Sequence, residues 1–369
     1  MNFSGLLLSA YDARSHALWR YRVAEMTPEV SWLELTLPPR NFNWRIRSNS
    51  LHWAFNNRDE LTDNYNFLLA TSMVDLSSLR GFVPQLGCIP NIIYFHENQF
   101  AYPSNQQKIE NIEPLLVPLY SALCADKIVF NSEYNKTTFI KGANSLFKKL
   151  PKTISSNVIK KLENSLIIPV PVSLPKEQTA KKQTSDNLEV IWNHRWEYDK
   201  GPAVLLAITK LIMAKSLPIR LHITGERFRQ SPIEFAEIGR NLEIHAQKTQ
   251  MKPGKFGYIK NEDSYYCLLR DCDVVLSTAE HDFQGLAVQE ACLAGCTPLA
   301  PKALVYPEYL PNQFLYQSSD NSQDTAINIV ERLTNWQQLK QRRELPKVNL
   351  DRFTTKVLKK EYLQLLGLS

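Results

Sequence analysis

Little in this chain offers a metal ion, a disulfide or a membrane anything to hold. Its six cysteines (88, 124, 267, 272, 292 and 296) form no C-x-x-C pair, and no histidine stands near them at zinc-ligand spacing. A zinc module and a disulfide framework are thereby excluded, and reduced, buried thiols in a cytoplasmic protein are expected. No apolar run approaches the roughly 20 residues that a spanning helix needs. The first one, at 3–10, has neither the basic flank nor the cleavage site of a secretory leader, so it is expected as a buried strand. Low-complexity blocks are missing too. With 44% hydrophobic and 22% charged residues over 369 positions, this is a globular chain long enough for two ordinary domains.

Acids are absent from two stretches, which says more than the net charge of +6, mild for a nucleic-acid binder. Between Leu35 and Arg58 there is none, while Arg40, Arg45, Arg47 and Arg58 alternate with Phe42, Trp44, Trp53 and Phe55. Between Tyr134 and Leu162 there is again none, and Lys136, Lys141, Lys148, Lys149, Lys152, Lys160 and Lys161 follow one another. Cations interleaved with aromatics neutralise phosphates while stacking unpaired bases. Arg40, Arg45, Arg47, Lys148, Lys149 and Lys152 are therefore candidate RNA contacts. A solvated surface whose aromatics pack inward is the plainer alternative.

What fills the rest is an alternation of short apolar runs and amphipathic helical patterns. Strands are expected at 5–9, 31–35, 66–70, 91–95, 127–131 and 166–169, and again at 189–193, 219–224, 242–246, 274–278, 297–300 and 313–316. Continuous apolar runs separated by helices imply parallel sheets buried on both faces. The polar stretch at 173–187 has no hydrophobic period and is expected as a linker. It divides an α/β chain into two doubly wound, Rossmann-like domains facing a central cleft, 1–172 and 188–350, followed by a helical segment at 351–369.

Ligands of open parallel sheets sit beyond the carboxyl ends of the strands. "VIWNHRWEYDKGPAVLL" puts Arg195 and Lys200 just past such an end, where a helix starts near Pro202. Helix-terminal amides already favour an anion there, and a guanidinium plus an ammonium make a pocket for a diphosphate. "STAEHDFQGLAVQEACLAG" repeats the geometry with acids. Asp282 and Gly285 fall in a loop, Leu286 opens a helix, and Glu290 in its first turns can accept hydrogen bonds from ribose hydroxyls. Glycine permits close backbone approach to a ligand. Glu290 can equally be a first-turn acid favoured by the helix dipole. "RDCDVV" spells D-x-D at Asp271 and Asp273, but at the amino end of a strand and so on the wrong side of the sheet for a metal-nucleotide site; no metal is expected.

"RWEYDKG" resembles the R-x4-K-G element, and "DFQGLAVQE" the E-x7-E element, of retaining GT-B glycosyltransferases similar to glycosyltransferase family 4; Asp282 stands where those enzymes usually have glutamate. "SAYDARSHALW", "TLPPRNFNWRIRSNSLHWAF", "IIYFHENQFAYP", "VIWNHRWEYDKGP" and "GLAVQEACLAGCTPLAPKALVYPE" narrow the resemblance to the tRNA-queuosine alpha-mannosyltransferase family over nearly the whole chain. The first loop, Tyr11 to Arg14, lacks the glycine pair familiar from such enzymes. The resemblance implies a GT-B fold and retaining transfer of mannose from GDP-mannose, as substrate and with no cofactor, to the cyclopentenediol of queuosine in a tRNA anticodon loop.

It also implies roles. Arg195 and Lys200 would stabilise the departing diphosphate, with Asp282, Gly285, Leu286 and Glu290 completing the donor site. On the other half, His96 follows a strand end and is expected to contact a sugar hydroxyl or orient the acceptor. Glu97, Asn98 and Gln99, with Ser15 and His16 at the start of the first helix, are expected on the acceptor side. Two other readings stay open: a lipid or polysaccharide acceptor, for which "TFIKGANSLFKKL" would serve as a basic amphipathic helix, and a non-catalytic tRNA or nucleotide binder.

Overall fold

Strand pairing is parallel throughout the two sheets of a computed structural model of the chain, described here for residues 3–102, 112–152, 154–173, 185–227 and 231–368. Two units result: Met1–Pro171 with Phe353–Ser369, and Val172–Arg352.

The first unit runs β1 (Phe3–Ser9), α1 (Arg14–Met26), β2 (Val30–Thr36), α2 (Phe42–Asn56), α3 (Arg58–Leu61), β3 (Phe67–Thr71), α4 (Leu76–Phe82), β4 (Asn91–Phe95), α5 (Glu113–Cys124), β5 (Lys127–Phe130), α6 (Glu133–Phe147), α7 (Ser156–Glu163) and β6 (Leu166–Ile167). Its sheet has the order β2-β1-β3-β4-β5-β6. All residues of β3 and β4 are buried, which is why these strands carry unbroken apolar runs. The order reverses between β1 and β3. Right-handed crossovers then send α1 to one face of the sheet and α2, α4, α5 and α6 to the other. In keeping with this, α2 packs on α4 and α5, and α7 on α5 and α6.

The second unit runs β7 (Leu188–Trp192), α8 (Pro202–Ala214), β8 (Ile219–Ile223), α9 (Glu234–Thr249), α10 (Glu262–Asp271), β9 (Val274–Leu276), α11 (Leu286–Leu293), β10 (Thr297–Pro301), β11 (Leu315–Tyr316) and α12 (Ser322–Gln341). The sheet order is β11-β10-β9-β7-β8, reversing between β7 and β9. The strand expected at 242–246 is not there: those residues lie in α9. Leu242, Ile244 and Ala246 alternate like a strand, but Phe235, Ile238, Asn241, Leu242, His245 and Ala246 form the buried face at helical spacing, and Ile244 is exposed. The linker expected at 173–187 lies mostly outside the described residues.

The closing helix α13 (Thr355–Leu366) belongs to the first unit, where it packs on α1. Tyr362 fixes it. Its hydroxyl accepts from Trp19 Nε1 (2.9 Å) and donates to the Pro169 carbonyl (3.0 Å), with the Tyr94 hydroxyl at 3.4 Å. One further crossover deserves its glycine: Gly201, which caps α8 in the left-handed region at φ +65°. A Cβ there would lie 2.0 Å from the Thr278 carbonyl oxygen.

Candidate active site

In the second unit, the switch point between β7 and β9 gathers the two motif loops. Residues 193–201 leave β7 and enter α8; residues 277–285 leave β9 and enter α11. They are stitched to each other. Trp192 Nε1 donates to Thr278 Oγ1 (2.9 Å), whose hydroxyl donates to the Lys200 carbonyl (2.7 Å), and the amides of Glu280 and His281 both donate to the Asp199 carbonyl.

Lys200 is held on two sides. Its ammonium donates to the His281 carbonyl (2.6 Å) and lies 3.1 Å from the Asp199 carboxylate. Burial alone would raise Asp199, but His281, whose ring nitrogen lies 3.8 Å away, and the Lys200 charge bring it down to about 2. Arg195 stands in a more open place, its side chain 47% exposed and 3.1 Å from Glu197.

Asp282 is tied into the α11 turn. It accepts from the Gly285 amide (2.8 Å) and from the Tyr306 hydroxyl (3.1 Å), and Tyr306 is itself bonded to Ser277 (2.8 Å). Burial raises its carboxyl, yet Lys200, His194, the Gly285 amide and Tyr306 together hold it below the usual range. Asp282, expected in the donor site, thus also organises its own loop. Gly285 adopts φ +74°, and a Cβ there would meet the Tyr309 hydroxyl at 2.5 Å. Leu286 begins α11, and half-buried Glu290 lies one turn further, beside half-buried Tyr265.

Three residues join this group that sequence reasoning passed over. His194 is buried between the two motifs; burial first, then the Lys200 charge, lower it to about 4, so it is neutral at ordinary pH. Asn193 donates to the Tyr265 hydroxyl and the Ala287 carbonyl (both 2.9 Å), bridging β7 to α11. Asp199 positions Lys200. All three sit within the stretch that carries Arg195 and Lys200, and their place just past a strand end was the available signal.

In the first unit the corresponding edge holds His96 and His16. Their rings stack at 4.2 Å and 21°, with Trp19 edge-on to His96 at 4.7 Å. Burial, then the neighbouring His16, push His96 well below the usual histidine range. Its Nε2 is buried without a hydrogen-bond partner among the described residues, as are the Ser9 and Thr71 hydroxyls at the adjoining ends of β1 and β3. Ser15 is exposed at the start of α1, and Glu97 and Gln99 are half-buried in the loop after β4. Asn98 differs from the expected ligand-facing set. Its amide nitrogen donates to the Asn135 carbonyl (3.1 Å) and to the side chains of Asn135 (2.8 Å) and Thr138 (3.0 Å), and its oxygen accepts from Ala101. This clamps the loop onto α6.

Of the cationic candidates, Arg40 and Arg47 are exposed and Arg45 half-buried; Arg47 also pairs with Asp75 (2.9 Å) and Glu113 (3.4 Å), which holds α2 against its neighbours. Lys148, Lys149 and Lys152 are exposed beyond the end of α6. The apolar residues of α6 do not form a lipid-facing stripe: Phe139 is fully buried, and Ile140, Leu146 and Phe147 pack on the unit's own core. Asp273 accepts from Lys340 (2.6 Å) and from the Glu189 amide (3.0 Å) at the amino ends of β7 and β9. Among the described residues no group of three or more His, Cys, Asp or Glu side chains is disposed to hold a metal ion, and no helix is long and apolar enough to cross a membrane.

Solved structures share this architecture. Anabaena HepE in complex with UDP and glucose matches over 99% of both chains with a TM-score of 0.62 at 14% identity. The E. coli trehalose-6-phosphate structure bound with UDP-2-fluoro glucose does so with a TM-score of 0.63 at 14% identity, again over 99% of both chains. The fold is therefore that of the GT-B glycosyltransferases. Sequence goes further than fold. The tRNA-queuosine alpha-mannosyltransferase N-terminal family matches residues 4–172, and the tRNA-queuosine alpha-mannosyltransferase of Drosophila melanogaster is 31% identical over 343 residues, 90% of this chain and 88% of the relative. The chain belongs to the tRNA-queuosine alpha-mannosyltransferase family, and it is a glycosyltransferase.

Proposed function

We propose that the protein transfers mannose from GDP-mannose to queuosine in tRNA, with retention at the anomeric carbon, and does so in the cytoplasm. The similarity to the Drosophila enzyme along 90% of the chain carries the reading. The site chemistry supports it. Cleaving a sugar-diphosphate bond puts negative charge on the leaving phosphate and positive charge on the sugar. Arg195 and buried Lys200 lie at the edge where a diphosphate would sit, and preformed charges stabilise such a leaving group without reorganising. Glu290, in α11, is the acceptor for ribose hydroxyls. Neutral His96 offers a buried ring nitrogen to a hydroxyl on the acceptor half. In retaining transfer from the same face, the departing phosphate takes the proton of the attacking hydroxyl, so no side chain is assigned as general base.

The deciding experiment is incubation of the enzyme with radiolabelled GDP-mannose and tRNA from cells with and without queuosine. Label is expected in the queuosine-containing tRNA alone. Equal labelling of both, or labelling of neither, overturns the acceptor; label from another sugar nucleotide in preference overturns the donor.

A further inference from the structure

The outer side of α2 is unlike any ordinary surface helix. Ile46, Asn49, Ser50, Trp53 and Ala54 face the core. On the opposite side Trp44, Leu51 and Phe55 are 80%, 51% and 71% exposed. Spacings of seven and four residues place these three on one stripe, so a second apolar face runs along the helix where charges normally stand. Phe55 meets Phe82 of α4, 39% exposed, with ring centroids 5.8 Å apart, which extends the stripe onto the neighbouring helix.

The surroundings say what covers it. No acid occurs from Leu35 to Arg58, and Arg40, Arg45 and the exposed His52 stand ahead of or beside the stripe. Exposed Asp59 and Glu60 follow Phe55 by one turn, so the positive excess lies toward the Trp44 end of the stripe, where it favours a polyanion over a second copy of this cationic chain. Rings spaced along a cationic ridge suit unpaired bases, each with a π-face to stack and a phosphate to neutralise. Position agrees. Five residues separate the carboxyl end of β2 from α2, which puts Trp44, in the first turn, toward the sheet edge on which His96 and His16 lie. The lysines at 148, 149 and 152 follow the far end of α6, on the return toward the opposite edge.

We propose that this face of α2 is the base-stacking platform for the tRNA acceptor, with Trp44 and Phe55 as the stacking rings. The inference rests on the proposed tRNA reading, and the test separates the two. Affinity of fluorescently labelled, queuosine-containing tRNA is measured by anisotropy for wild type, Trp44→Ala/Phe55→Ala and Trp44→Phe, with GDP binding by calorimetry and thermal melts as controls. Both rings are exposed, so the melts are expected to be unchanged. The double variant is expected to bind tRNA about tenfold to a hundredfold more weakly, the weight of one or two stacked bases. Trp44→Phe is expected to bind nearly as wild type, and GDP affinity to stay constant. Equal tRNA affinity in wild type and double variant overturns the platform while leaving the acceptor standing. Absence of tRNA binding by wild type overturns the acceptor reading itself. Loss of anionic-vesicle binding or of self-association in the double variant, with tRNA affinity intact, assigns the face to a membrane or a second copy and likewise overturns the proposal.

Discussion

Lys200 and Arg195 carry the same charge in different surroundings, and this decides what their removal reports. The Lys200 side chain is 10% exposed and lies against a carboxylate, whereas that of Arg195 is 47% exposed. Taking away the lysine leaves Asp199 buried without its ammonium, a loss of about 3–5 kcal/mol. Lys200→Ala is therefore expected to lower the melting temperature together with transfer, and its kinetics report two effects at once. Arg195→Ala is expected to melt as wild type and to lose about 3 kcal/mol of transition-state stabilisation, a hundred- to thousandfold fall in kcat. An unchanged kcat would remove Arg195 from the leaving group. His194 gives the same site a pH dependence. Its folded pKa is about 4, against an ordinary 6.5, because burial and then the Lys200 charge disfavour the imidazolium. Below pH 6.5 the unfolded chain takes up a proton that the folded chain refuses, so stability falls from pH 6.5 down to about 4 and the loss levels off below that. Across this window it amounts to about 3 kcal/mol. His194→Gln is expected to flatten that part of the profile in urea midpoints taken at successive pH values; a decline as steep as in wild type would assign it to other groups.

At the scale of elements, the turns that lead into α8 and α11 do what side chains alone do not. Gly201 takes φ +65° with the Thr278 carbonyl 2.0 Å from where a Cβ would be, so the loop after β7 can lie on the loop after β9 only if this residue has none. Gly201→Ala is expected to cost well over the roughly 1–2 kcal/mol of a left-handed alanine and to abolish GDP binding, because Lys200 moves with it. Gly81 is the control: it lies in α4 with open space around its Cβ position and ordinary φ. Gly81→Ala is expected to be neutral or to stabilise by about 0.5–1 kcal/mol in thermal melts, since only the unfolded chain loses freedom. Much of this scale was legible in the residues. Strands buried on both faces write themselves as apolar runs, and the motif spacing placed Arg195 and Lys200 in the loop after β7 and Glu290 in α11. What stayed hidden is tertiary in origin. Leu242 to Ala246 alternates locally, and only the packing of Ile238 and His245 makes it helix. Arg47 looks like a free cation until Asp75 and Glu113, distant in sequence, come beside it. Asn98 looked ligand-facing because its bonds to α6 leave no mark in sequence.

For the whole molecule, the chain's last helix shows how far apart in sequence the parts of one unit lie. The pattern from Thr355 to Leu366 is plainly helical, but its partner is fixed by Tyr362, whose hydroxyl sits between Trp19, Tyr94 and the Pro169 carbonyl in the first unit. The first unit is thus closed by residues that follow the entire second unit, and its stability depends on a segment some 190 residues beyond Pro169. Two substitutions separate the hydroxyl from the ring. Tyr362→Phe keeps the shape but leaves the buried Trp19 N–H and the Pro169 carbonyl without this partner, for about 1–3 kcal/mol. Tyr362→Ala also opens a cavity and is expected to cost about 3–5 kcal/mol. Because every one of these contacts lies within the first unit, the loss is local. Amide exchange is expected to quicken in β1, β4 and α13 of the variants while β7, β9 and α11 exchange as in wild type, with GDP affinity retained. Uniformly faster exchange in both sheets would mean that the two units unfold as one, and that the closing helix stabilises the chain as a whole and not the half it packs on.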